Sequence, residues 1–192
     1  MALAESLFES HMKKILVVAS SLDGYIAQNS EQVSTAWTSE ADKKWFGQIS
    51  RQIGWLIMGE RTYRTIGRPL PGRGIIVLTE RTEFEAAEFG TLDPQKPAGV
   101  YKAVNLAPAE IIAELAAKGV SQVAIAGGAF VYKSFLEADL VDEMYVTVES
   151  VLLGGGVKLG SEGLSPTRWR VEERIDLDAQ TQVIHLVDGE KL

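Results

Sequence analysis

The 192-residue chain has no cysteine and only two histidines, His11 and His185. Disulfides, thiolate nucleophiles and cysteine-ligated metals are thereby excluded, and a chain without thiols suits a reducing cytoplasm. Two histidines far apart in sequence are too few for a His-rich zinc centre and disfavour a histidine-centred hydrolase, so no metal is expected. Long hydrophobic runs are missing too. No stretch approaches the roughly 18 apolar residues that span a bilayer, and the start lacks the basic-then-apolar profile of a signal peptide. The expectation is a cytoplasmic protein with no membrane partner. Positive charge is scarce, with 19 Lys and Arg against 26 Asp and Glu and a net charge of −7. Nucleic acid is therefore not an expected partner, because phosphate contacts need clustered Lys and Arg, whereas small anions can still be met by a few local arginines.

What is present is enough apolar material for one large core. At 46% hydrophobic content, 192 residues suit one α/β domain better than two. The opening MALAESLFESHM precedes the first strand-like run, so residues 1–12 are expected to be an expression-derived or disordered leader and 13–192 a single domain. KILVVA from Lys14 is a short apolar run rich in β-branched residues, ended by Ser20 and Ser21, and reads as a buried strand. WLIMG (Trp55–Gly59), IIVLT (Ile75–Thr79), VAIAG (Val123–Gly127) and MYVTVE (Met144–Glu149) read likewise. Helices are expected over Ser39–Gln52, over APAEIIAELAAKG with Pro108 near its first turn and Gly119 as its stop, and over Ala129–Leu136. This alternation predicts a largely parallel, twisted sheet covered on both faces. Trp169–Asp188 differs, with two alternating strands around a polar turn at Asp178–Gln180, an antiparallel hairpin. Arg81–Gly99, which holds Pro94 and Pro97, reads as loop with some irregular helix.

In an open α/β sheet, ligands bind at the carboxyl ends of the strands. Gly127 and Gly128 follow one strand and Gly59 another, with Arg61 and Thr62 on the next helical turn, so backbone can approach a pyrophosphate there without a Cβ in the way. A tight turn is the bland alternative at both places. Neither a G-x-G-x-x-G after the first strand nor a G-x-x-x-x-G-K-[ST] is present. RPLPGRG (Arg68–Gly74) reads either as a rigid solvated connection or as the place where Arg73 grips a substrate carboxylate through two parallel N–H bonds. In AWTSEADKKWF, Ser39-x-x-Asp42 fits a capping box, in which the aspartate reaches back to the Ser39 amide. Yet Phe46 lies four positions on, on the same helical face, so the Asp42 carboxylate can equally lie against apolar walls in a pocket.

Taken together, these segments resemble the dihydrofolate reductase family. IMGERTYRTIGRPLPGRGIIVLT (Ile57–Thr79) is similar to that family's M-G-R-x-T-[WY]-x-x-I-x-x-P-L-P-G-R segment and the strand after it. WTSEADKKWF is similar to its W-x-x-x-x-D-x-x-x-F, and IAGGAFVY to its G-G-x-x-[VL]-Y. The resemblance implies a three-layer α/β fold of the dihydrofolate reductase type, with a central mixed, mostly parallel sheet, helices on both faces and a C-terminal antiparallel hairpin. It also implies NADPH-dependent reduction of 7,8-dihydrofolate or a related pterin, with hydride transfer to C6 and protonation at N5. Asp42 would be the pterin carboxylate, Trp37 would close a loop over the nicotinamide, and Phe46, Arg73 and Thr147 would bind substrate. Ala19, Gly59, Arg61, Thr62, Thr79, Arg81, Gly127, Gly128, Ala129 and Tyr132 would line the cofactor.

Two departures stand against this pattern. Glu60 occupies the place of the family's arginine for the 2′-phosphate, leaving Arg61 or Arg81 to compensate, and Lys43 stands where an apolar residue is common. SLDGYIA (Ser21–Ala27), DLVDEMYV (Asp139–Val146) and VLLGGGVKL (Val151–Leu159) look more like the reductase domain of riboflavin biosynthesis, which shares the fold and reduces a ribosylamino-pyrimidine phosphate. A pyrimidine reductase of that type and a non-catalytic nucleotide-binding protein are thus the alternatives, and either a monomer or a homodimer fits.

Overall fold

Strand β1 (Lys13–Ser21) buries every residue after Lys13, because both faces of the sheet it enters are covered. Its neighbours divide by parity. Ile15, Val17, Leu56, Met58, Ile75 and Val77 pack on one face, and Leu16, Val18, Ile57, Ile76 and Ile125 on the other, which is the period-2 alternation hidden inside runs that are apolar throughout. In this computed structural model the described residues are 12–29, 36–159 and 164–192. Residues 1–11 of the expected leader lie outside them, whereas Met12 is buried in the core.

The elements follow in order as β1, β2 (Tyr25–Ala27), α1 (Glu40–Ile53), β3 (Trp55–Gly59), α2 (Glu60–Ile66), β4 (Gly74–Thr79), β5 (Ala87–Glu88) and β6 (Val100–Val104). Then come α3 (Pro108–Ala117), β7 (Gln122–Ile125), α4 (Ala129–Glu137), β8 (Glu143–Glu149), β9 (Val157–Lys158), β10 (Thr167–Asp176) and β11 (Thr181–Lys191). One nine-stranded sheet runs β10-β11-β8-β1-β7-β3-β4-β6-β5, and β2 pairs antiparallel with β9 beside it. The sheet is parallel from β8 to β5, and β11 joins it antiparallel to β8. Helices α3 and α4 place Ile111, Leu115, Val131 and Phe135 on one face, and α1 places Ile49 and Ile53 on the other. The expected three-layer α/β arrangement and its C-terminal hairpin are therefore present.

Two close approaches shape the middle of the sheet. Gly54, at φ +88°, ends α1 by donating to Ser50 O. Gly74 lies under the Trp55 ring, where an added Cβ would sit 2.2 Å from Cζ3. The Arg81–Gly99 segment contains the two-residue β5 and a 3-10 turn at Phe89–Thr91. Strand β6, directly after it, has no counterpart in the apolar pattern, because only Ala103 of its five residues is fully buried and Lys102 interrupts the run. Among the described residues no helix is long and apolar enough to cross a membrane.

Candidate active site

A cleft of about 1080 Å³ opens at the carboxyl ends of β1, β3, β4, β7 and β8. Loops leaving parallel strands diverge there toward opposite faces, which leaves room for a ligand. Among the residues expected to act, the cleft is lined by Asp42, Phe46, Arg73, Thr147, Ala19, Gly59, Arg61, Thr62, Thr79, Arg81, Gly127, Gly128, Ala129 and Tyr132. Trp37 is the exception. Its indole N–H donates to Ile26 O at 3.3 Å and the residue is not part of the lining.

The capping box forms by half. Ser39, at φ −68° and ψ 165°, is the N-cap of α1, and its Oγ accepts from the Asp42 amide at 3.1 Å. The return bond is taken by another residue, since the Ser39 amide donates to Glu149 Oε1 at 2.8 Å. The Asp42 carboxylate is thus free to face the cleft. Only 6% of the residue is exposed, and burial raises its pKa above the ordinary aspartate value. The nearby Thr38 and Thr147 hydroxyls and the charge of Lys43 oppose that rise, and the Glu149 carboxylate adds to it. Thr38 Oγ1 is buried without a hydrogen-bond partner among the described residues, and it lies near enough to the Asp42 carboxylate to favour its charged form. Phe46 lies one helical turn on, and Trp45 meets Tyr145 edge to face at 6.0 Å.

Arg73 stands at another part of the wall. It is 6% exposed, with Nη1 donating to Ser50 Oγ at 2.9 Å and Nε to Pro71 O at 3.3 Å. Burial and the neighbouring Arg51 lower its pKa, and among the described residues no carboxylate pairs with it. A buried guanidinium without a counter-ion is a site for an anion.

The glycine turns come together across the cleft floor. Gly59 N donates to Gly127 O at 2.9 Å, and the Gly127–Gly128 peptide is cis. A Cβ on Gly128 would stand 3.0 Å from Thr62 Oγ1 and one on Gly127 3.3 Å from the Tyr132 hydroxyl. These positions form a bare backbone cradle bordered by hydroxyls, which fits the pyrophosphate of a dinucleotide. The Tyr132 hydroxyl itself donates to Val17 O at 2.9 Å, and burial, with the charge of Asp42, pushes its pKa up.

Glu60 lies beyond the glycines. Burial favours its neutral form, but the Thr79 hydroxyl at 2.5 Å, Arg64 at 2.7 Å and Arg81 at 3.4 Å together hold its carboxyl below the ordinary value. The two arginines are thereby partly neutralised by a residue of the cleft wall.

The sequence profile of the RibD C-terminal domain matches residues 13–183. The chain belongs to the RibD C-terminal domain family. It is 28% identical over 163 residues to YwjB, an uncharacterised protein of Bacillus subtilis, covering 83% of this chain and 89% of that one. Its structure superimposes on a putative riboflavin biosynthesis protein from Shewanella with a TM-score of 0.71 and 26% identity, covering 94% of this chain and all of the other. It also superimposes on dihydrofolate reductase from Enterococcus faecalis, solved with NADP(H), at a TM-score of 0.65 and 22% identity, covering 92% and 97% of the two chains. The second likeness shows a shared fold.

Against this RibD C-terminal frame, three residues of the site carry no signal in the sequence. Glu149 ends a strand and looks like an ordinary strand residue, but it is 3% exposed and bonded to the α1 cap. Thr181 joins it from the far hairpin at 3.0 Å. Thr38 precedes the cap and is hidden only once α1 docks. Glu149 and Thr181 matter through contacts across 110 residues and between strands, and Thr38 through a burial that only the docked helix provides, none of which spacing alone reveals.

Proposed function

We propose that this protein is an NADPH-dependent reductase of 7,8-dihydrofolate. The observation that carries the reading is the Asp42 carboxylate, released from its cap and held in the cleft beside the Thr147 hydroxyl. A carboxylate acceptor in an apolar pocket matches the paired N–H donors of a 2-amino-4-oxopyrimidine edge, which the pterin ring presents. Phe46 gives the ring an apolar wall. The unpaired Arg73 matches a carboxylate of the substrate's tail. The glycine cradle with Thr62 fits the cofactor's pyrophosphate, and Arg61 and Arg81 supply positive charge at the end where a 2′-phosphate would lie.

The bound cofactor would supply a hydride to the ring. The chain's contribution is to hold the ring in register with it and to keep a negative charge beneath the ring, which favours uptake of a proton at N5 from water. Burial of Asp42 strengthens that field because little solvent screens it.

The expected result is oxidation of NADPH on addition of dihydrofolate, followed by its near-ultraviolet absorbance, and a loss of turnover of about a hundredfold or more in Asp42→Asn. An unchanged rate in that variant would remove Asp42 from the reaction. For Arg73, we expect Arg73→Leu to raise KM for dihydrofolate by roughly tenfold while leaving KM for a pterin without the glutamate tail unchanged. Equal effects on both would take away its carboxylate role.

Membership of the RibD C-terminal family favours a second reading, reduction of a ribosylamino-pyrimidine phosphate. A ring of that type with a 2-amino group would present the same donor edge to Asp42, whereas a uracil ring, with an oxo group at that carbon, would offer its N3–H alone, and Arg73 would meet the phosphate. Turnover of that pyrimidine but not of dihydrofolate would decide for it.

A further inference from the structure

Ser39 and Asp42 stand at the spacing at which a helix's third residue reaches back to its own N-cap amide. That reach would draw the carboxylate out of the cleft. It is blocked because the Ser39 amide and hydroxyl both donate to Glu149 Oε1, each at 2.8 Å. Thr181 Oγ1 donates to Oε2 at 3.0 Å, so three donors hold a carboxylate that is 3% exposed. Glu149 does not line the cleft. It lies two positions after Thr147 on β8, so the two side chains project from the same face of the strand, one toward Asp42 and the other toward the cap beside it.

We propose that Glu149 is a positioning residue for Asp42, occupying the amide that Asp42 would otherwise bond and leaving the Asp42 carboxylate aimed into the cleft. Its effect on ligand binding rests on the reading of Asp42 as the ring-binding group, whereas its effect on Asp42 itself does not. The groups that bear on Asp42 are Thr38 before α1, Lys43 on α1, Thr147 and Glu149 on β8, and Tyr132 on α4. Of these, only Glu149 adds a second negative charge, and it works with burial to favour the protonated Asp42.

The test is a carbon-13 NMR titration of the Asp42 carboxyl in the ligand-free protein, with equilibrium binding of 2-amino-4-oxopteridine as a second readout. In Glu149→Gln, which keeps the shape of the side chain and removes its charge, the Asp42 midpoint should move to lower pH with pteridine affinity nearly retained. In Glu149→Ala the Ser39 amide is released, the midpoint should again fall, and pteridine affinity should drop about tenfold as Asp42 turns back to its cap. Glu149→Asp should recover part of that affinity. An Asp42 midpoint that stays in place in both Glu149→Gln and Glu149→Ala would overturn the proposal, as would full pteridine affinity in Glu149→Ala. Failure of pteridine to bind the unaltered protein would sink the pterin reading instead, and the titration would then decide the role of Glu149.

Discussion

At the scale of single residues, the site sets function against stability. Asp42 is buried and its pKa is raised, so the folded protein binds the Asp42 proton more tightly than the unfolded chain does. The stability tied to that proton is complete below the ordinary aspartate value of 3.8 and is lost as pH rises through the raised folded value. At neutral pH the charged form is therefore held at a cost. Asp42→Asn should melt at a higher temperature than the unaltered protein near pH 7, and the gap should narrow as pH falls toward 4, which thermal melts across that range would measure. Glu60 poses the parallel question for the cofactor. Its charge engages Arg64 and Arg81 and would oppose a 2′-phosphate bound beside them, so Glu60→Gln should raise the preference for NADPH over NADH by roughly tenfold in equilibrium binding. A preference that does not move would separate Glu60 from the ribose end of the cleft. Asp42 is visible in the sequence as a candidate, and Glu60 as a departure from the dihydrofolate reductase pattern. Whether Asp42 capped its helix or faced the cleft is not visible there, because the deciding partner of the Ser39 cap, Glu149, lies 110 residues beyond Ser39.

At the scale of elements, what was legible depended on how uniformly a segment is buried. The strands through Leu16, Ile57, Ile76 and Ile125 are covered on both faces and appear as unbroken apolar runs. Strand β6 lies near one edge, keeps Lys102 paired with Glu88 on β5, and so has no such run. The short pairing of β2 with β9 is set by where the chain folds back, a tertiary fact without a local pattern. Bare backbone at Gly74 is a similar case, since a glycine at the start of a strand looks like a turn residue until Trp55 is found stacked over it. Gly74→Ala would drive a methyl into that ring and should destabilise the protein by about 1–3 kcal/mol or more, read from urea unfolding. A neutral outcome would mean that Trp55 can leave β3 without loss.

At the scale of the molecule, two cores share one sheet, and the cleft lies where helices from the two faces part. Among the described residues Phe135 is the largest side chain fully out of solvent, and it anchors α4 on one of those faces. Phe135→Ala should cost about 3–5 kcal/mol, a large share of the roughly 5–15 kcal/mol that holds a domain folded, and urea unfolding would show it as a lowered midpoint. The sheet ends are blunted in different ways. β5 is only two residues long, and β10 is exposed along most of its length but carries charges and two register shifts against β11, which discourage pairing with a further strand.

Protein synthesis proceeds from the N-terminus, and the parts of this site leave the ribosome far apart in time. Asp42 emerges early, the Gly127–Gly128 turn later, then Thr147 with Glu149. Thr181, whose hydroxyl steadies the Glu149 carboxylate, comes only with the eleventh strand. A nascent chain that has released β1 to β8 already contains Asp42, Ser39 and Glu149, but not the third donor on the Glu149 carboxylate. The β10–β11 hairpin thus supplies the last of the three donors, and without Thr181 the Glu149 carboxylate would be held by Ser39 alone.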